Sequence, residues 1–233
     1  MLKELRLLLS ACPPGTDYEG FRQAVVDNNV LLKNTETTRK ESFRRLRELY
    51  ALDEEALIFR ALRDLWTSDP QAEPVIALLC ATARDAILRG TADLILTTPY
   101  GESVTPQMIE QATEESFPHR YNATMLANVG RHAASSWQQS GHLQGRLTKK
   151  RVQAKHTPAA VAYAFFLGHL CEARGDALFR TLWSRLLDTT LAALHESALA
   201  ASRRGWLEYR HSGSVTEIAF RYLMRDHVEK DGV

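Results

Sequence analysis

Residues 119–156 read HRYNATMLANVGRHAASSWQQSGHLQGRLTKKRVQAKH. This stretch holds seven Lys or Arg, four His and no Asp or Glu, in a chain whose formal net charge is only +1. A run without carboxylates attracts polyanions, and nucleic-acid phosphates are the commonest polyanion a protein meets.

Helical periodicity divides the stretch. Asn122 is a helix cap, and Leu126, Val129, Ala133 and Trp137 recur every three or four residues, which predicts a stripe facing the core. Asn128, Arg131, Ser135 and Gln138 fall on the opposite stripe, with Gln139 beside it. Gly141 ends the helix, Leu143 returns the chain to the core and Gly145 marks a turn. Residues 147–152, LTKKRV, then read as an extended basic ribbon. A helix that presents Asn, Arg, Ser and Gln, followed by a basic ribbon, resembles a winged helix-turn-helix. Arg, Asn and Gln make paired hydrogen bonds to base edges. Lys149, Lys150 and Arg151, with Arg146 and Lys155 on either side, would lie along phosphates. The plainer alternative is a bundle helix followed by a flexible basic loop.

Outward from this segment the charge changes sign. Residues 50–118 carry four basic and twelve acidic groups, while residues 157–233 carry nine of each. The acidic part is most simply a solvated surface, and otherwise a partner-docking face. The chain has 233 residues, 45% hydrophobic and 24% charged, which suits a globular protein with a sizeable core. Cys12, Cys80 and Cys171 are few, odd in number and far apart, so neither a disulfide framework nor a structural zinc is expected, and a reducing cytoplasm fits. No membrane span is expected, because the most apolar run, residues 75–83, is far shorter than the ~20 residues a span needs.

In the N-terminal part, residues 2–11 read as a helix with Leu5, Leu8 and Leu9 on one face, stopped by Pro13, Pro14 and Gly15. Asp17 opens a second helix, and Asn28 and Asn29 suit its end. Asn34 or Thr35 caps a third, with Phe43, Leu46 and Tyr50 inward. Lys40, Arg44 and Arg47 point the other way, with Arg39 and Arg45 flanking and Lys33 in the turn before. Glu36 and Glu41 stand four residues ahead of Lys40 and Arg45, so part of this charge is paired along the helix.

The segment AVVDNNVLLKNTETTRKESFRRLRELY, through Asn29, Leu31, Leu32, Lys33, Thr38, Arg44 and Leu46, resembles the N-terminal signature of the BREX phage-defence BrxA family. The preceding LRLLLSAC is similar to the family's opening helix, and the helix before Gly141 and Leu143 to a later section of it. The resemblance implies a small, mostly helical protein similar in fold to the NusB antitermination factor. It also implies nucleic-acid binding without catalysis, inside a multi-protein defence system. Residues 157–233 make a longer C-terminal part than that pattern implies.

Further helices are predicted over residues 53–66, 75–89 and 105–116. Thr157 and Pro158 open another, apolar at Val161, Phe165, Phe166 and Leu170, and two more follow to Leu187 and across 190–204. The segments flanking HSGS, residues 206–210 and 215–220, read as a β-hairpin, with a last helix to about residue 228. The four tryptophans, Trp66, Trp137, Trp183 and Trp206, are expected to pack in the core rather than stack on bases.

No catalytic constellation is expected. Gly141 and Gly145 lack the ending of a phosphate-binding loop, there is no GxSxG elbow, and His195-Glu196 lacks the second His of a zinc pair. The expectation is a mainly α, compact helical bundle with winged-helix-like elements and one or two small β-hairpins. Residues 1–118 form its N-terminal part and 119–233 its winged-helix-like part, or the two are continuous as one domain. Functionally it is a non-enzymatic protein without cofactor or metal that binds double-stranded DNA and contacts other proteins of the defence system. A protein–protein adaptor, an RNA-binding antitermination-like factor and a transcriptional regulator are the alternatives.

Overall fold

The computed structural model describes residues 1–213 and 215–225. Its centre is α10 (Pro158–Leu170), whose residues 159–168 are all buried. The sequence there, AAVAYAFFLG, has no polar face, and a helix apolar all round must be surrounded. It is packed by α4 (Leu57–Trp66), α5 (Glu73–Arg84), α11 (Leu182–Arg185) and α12 (Leu191–Arg203). The Tyr163 hydroxyl finds its acceptor on the Ile58 carbonyl, 2.9 Å away. The rings of Phe166 and Phe220 meet edge to face at 5.6 Å, which ties the C-terminal hairpin to the same core.

The N-terminal helices pack against α4 and α5. α1 (Leu2–Ala11) buries Leu2, Leu5 and Leu8. α2 (Tyr18–Arg22) runs on as a π-helical turn over Gln23–Asp27, and α3 (Glu36–Tyr50) buries Phe43, Leu46 and Tyr50 as their spacing predicts. Asp17, Thr35, Thr105, Asn122, Thr157 and Thr190 each accept a hydrogen bond from the amide three residues on, so the sequence's start signals are true caps. All four tryptophans are buried.

Expectations for four of the helices are corrected. The helix predicted over 75–89 is broken at Asp85, whose carboxylate accepts from the Ile87 and Leu88 amides and starts a separate helix, α6 (Ala86–Gly90). The helix predicted from Asp53 begins only at Leu57. The helix expected before Leu187 is a 3-10 turn over Gly175–Arg180 followed by the four-residue α11. The predicted hairpin is present as β4 (Glu208–Ser212) paired with β5 (Val215–Ala219). The last predicted helix is not formed over residues 221–225, which are turns, and its remainder lies outside the described residues.

The acid-free stretch is built into a unit that also uses chain before it. In order, the unit comprises α7 (Ala92–Thr97), β1 (Ser103–Val104), α8 (Pro106–Ser116), α9 (Ala123–Gln139), β2 (Leu143–Gln144) and β3 (Lys149–Arg151). The strands form an antiparallel sheet in the order β1-β3-β2, pairing Val104 with Lys149 and Leu143 with Arg151. Helix, strand, two helices and a returning hairpin whose last strand lies in the middle is the winged-helix arrangement. Because β1 and α8 belong to it, this unit straddles residue 118. α8 and α9 approach closely: a Cβ at Gly130 would stand 2.8 Å from the Pro106 carbonyl oxygen. The Trp137 indole donates to the Thr91 hydroxyl at 2.9 Å and fixes the far end of α9 to the α6–α7 junction.

Replacing Phe166, fully buried on α10, by Ala is expected to cost about 3–5 kcal/mol, read as a lower midpoint in urea unfolding.

Candidate nucleic-acid interface

α9 divides its faces nearly as its periodicity predicts. Ala133 and Trp137 are buried, joined by Gly130 and Ala134, while Leu126 and Val129 are half-buried. Asn128 and Arg131 are exposed, and the Arg131 guanidinium donates to the Asn128 side-chain oxygen. Beyond Gly141 the chain forms a wing, β2 and β3 joined through a tight turn at Gly145. Gly145 has φ +122°, and a Cβ there would stand 2.1 Å from the Thr148 carbonyl oxygen, so no other residue fits this turn.

Between α9 and the wing lies a cleft of about 310 Å³ lined by Arg131, Arg146, Leu147, Thr148 and Lys149, with Thr105 at the start of α8. No carboxylate lines it. Among the described residues Arg131, Arg146, Lys149 and Lys150 have no ion-pair partner. Lys149 is oriented by the Gln138 side-chain oxygen at 2.7 Å, and the same amide donates to the Gly145 carbonyl at 2.9 Å. Gln138 therefore shapes the wing rather than facing outward, which corrects its place among the surface contacts. Gln139 is corrected likewise: its side-chain oxygen accepts from the Leu2 amide at 3.0 Å and its nitrogen donates to Ser135.

Arg151 is the largest correction. Expected on phosphates beside Lys149 and Lys150, it is 1% exposed. Its guanidinium donates to the Ile95 carbonyl at 2.7 Å, to the His142 and Val152 carbonyls, and to Asp188 at 2.7 Å. Asp188 also accepts from the Ala154 amide and the Tyr100 hydroxyl, both at 3.0 Å. Burial alone would raise the Asp188 carboxyl, but these donors, Arg151 foremost, more than offset it and hold it below its usual 3.8. Side chains alternate along a strand, so Lys150 is exposed while Arg151 points inward. Lys155 lines a different groove, of about 440 Å³, with Gln71, Gln144 and Gln153.

Three of the five cations of α3 are paired with glutamates of the same helix. Lys40 pairs with Glu36 at 2.6 Å, Arg44 with Glu41 at 2.7 Å and with Glu48 at 2.5 Å, and Arg45 with Glu41 at 2.8 Å. Arg44 and Arg45 hold the Glu41 carboxyl down to about 2. Arg39 donates to the Val26 carbonyl at 2.6 Å, Lys33 pairs with Glu4 at 2.9 Å, and Arg47 lies 5.7 Å over the Tyr18 ring. Arg44 and Arg45 face Ser135 and His132 of α9 across a cleft of about 680 Å³, away from the wing. The residues that carry the BrxA resemblance mainly build this corner. Asn29, at φ +52°, brackets Lys33 with two hydrogen bonds of 2.8 and 3.0 Å, and Leu31 and Leu46 are buried.

Among the described residues no three His, Cys, Asp or Glu stand together to hold a metal ion, and no helix is long and apolar enough to cross a membrane. The chain matches no protein-family model, no curated protein and no solved structure.

His142, which the charge count groups with the surface cations, is fully buried. Its ring contacts the Ser140 hydroxyl at 2.8 Å and the Leu186 carbonyl at 3.0 Å. Burial disfavours the imidazolium and pushes its pKa down from 6.5 to about 4. Above 6.5 both folded and unfolded chains hold it neutral; between 6.5 and 4 only the unfolded chain takes up the proton. Stability is therefore expected to fall as the pH drops through that window, by up to about 3 kcal/mol from this residue. Urea midpoints across that range should slope less steeply in His142→Gln than in the wild type. Asp188→Ala, which strands the buried Arg151, is expected to cost about 3–5 kcal/mol at neutral pH in the same measurement.

Proposed function

We propose that the chain is a non-catalytic protein that binds double-stranded DNA through α9 and the wing. The observation that carries this reading is the acid-free cleft where Arg131 of α9 meets Arg146 and Lys149 of the wing. Cations without a carboxylate partner neutralise phosphates and release counterions, whereas Lys40, Arg44 and Arg45 of α3 are already paired with Glu36, Glu41 and Glu48. Asn128 and Arg131 lie on the exposed face of α9, where a major groove would receive them, and both side chains are suited to base edges. Lys150 and Arg146 would grip the flanking backbone.

The resemblance of residues 24–50 to the BrxA signature supports placing this DNA-binding protein in a BREX-type phage-defence system, with proteins of that system as its other partners. An adaptor role, in which protein contact is primary and DNA affinity incidental, differs in its dependence on salt.

Titration of a duplex at rising salt tests the proposal. Log affinity is expected to fall linearly with log salt. Arg131→Ala, Arg146→Ala and Lys150→Ala should each reduce the slope by about 0.9, and Arg44→Ala should leave it nearly unchanged. Affinity that ignores salt, or slopes unchanged in all three variants, would overturn it. Structured RNA competing as well as duplex DNA would move the reading to RNA.

A further inference from the structure

Leu147 stands at the tip of the wing and is 97% exposed, the most exposed of the large hydrophobic side chains among the described residues. Nothing local covers it, but the hairpin that carries it is braced on both sides. The Gly145 turn closes against the Thr148 carbonyl, Gln138 bonds the Gly145 carbonyl and Lys149, and Arg151 anchors the base of β3 in the interior. The tip is thus an apolar point on a braced hairpin, flanked by Arg146, Lys149 and Lys150, cations with no ion-pair partner among the described residues. Isolated exposed leucines are common on mobile surfaces, but this one is carried at the end of a braced, cationic hairpin beside Asn128 and Arg131.

We propose that Leu147 is a wedge that enters the minor groove next to α9, partly unstacks one base step and bends the duplex. The inference rests on the DNA-binding reading above. With α9 in a major groove, the hairpin that leaves its C-terminal end crosses the backbone toward the neighbouring minor groove, and its cations hold the phosphates on both sides of the tip. Apolar wedges between base steps kink DNA toward the major groove, and the cost is lowest at pyrimidine–purine steps such as TA and CA. The preferred ligand is therefore a deformable duplex with such a step under the wing, a preference exerted at a position where no hydrogen bond reads a base.

The test uses the full chain and duplexes of about two helical turns, labelled at both ends for energy transfer. Each carries 2-aminopurine at a TA, a CA or a GC step. Wild type is expected to bring the ends closer and to raise 2-aminopurine emission at a TA or CA step. Leu147→Ala should lose both signals and bind roughly tenfold more weakly, the order expected when one leucine's apolar burial is lost. Leu147→Met should retain both, and Leu191→Ala, an exposed leucine on α12, should match the wild type. If wild type binds while the duplex stays straight, or Leu147→Ala bends it equally, the wedge is overturned and DNA binding stands. A loss of affinity in Leu147→Ala without any bend in the wild-type complex would also overturn it. Failure of the wild type to bind duplex at any salt removes both readings.

Discussion

The buried ion pair between Arg151 and Asp188 is the constraint on which the rest of this structure depends. A guanidinium that is 1% exposed is tolerable only if its donors are satisfied, and here they reach one carboxylate and three backbone carbonyls. Those acceptors lie in separate parts of the chain: α7, the exit from α9, the end of β3 and the turn after α11. One side chain therefore joins the wing to the core around α10. Asp188 is held at φ +55°, a conformation costly for an aspartate, and three donors converge on its carboxylate there.

That anchoring explains how a short, strongly basic hairpin has a defined shape. Lys149, Lys150 and Arg146 repel one another, and a two-stranded ribbon alone is marginal in water. The third strand, β1, the Gln138 bracket and the inward Arg151 hold it in place. The exposed cations then meet Arg131 of α9 without an acid among the lining residues. On α3, Lys40, Arg44 and Arg45 are spaced so that each finds a glutamate one turn away, which offsets most of their charge. Arrangement, more than the number of cations, separates the two surfaces.

Much of this was legible in the chain itself. The caps at Asp17, Thr35, Thr105, Asn122 and Thr157, the buried Ala133–Trp137 side of α9 and the β4–β5 hairpin all follow from local signals. The i to i+4 pairing on α3 was visible in the spacing of Glu36 and Glu41. Asp85 was missed as a helix break because the apolar pattern continues across it, and only its side-chain bonds to the next two amides reveal the new start. Gln138 and Gln139 were placed on the outer stripe by periodicity alone, although amides that can both donate and accept are equally suited to bracing a turn.

Arg151 marks the division most clearly. The amino-acid sequence by itself determined that residues 119–156 carry no acid, that a capped helix is followed by a turn and a basic ribbon, and that a helix with Val161, Phe165 and Phe166 apolar opens at Thr157 and Pro158, because caps, periodicity and composition act within a few residues. Which of Lys149, Lys150 and Arg151 faces solvent was decided only by the tertiary structure. The partner that draws Arg151 inward is Asp188, 37 positions away, and the strand that completes the sheet comes from residues 103–104. Contacts at such separations leave no periodic trace in the chain, since they depend on how the core brings distant segments together.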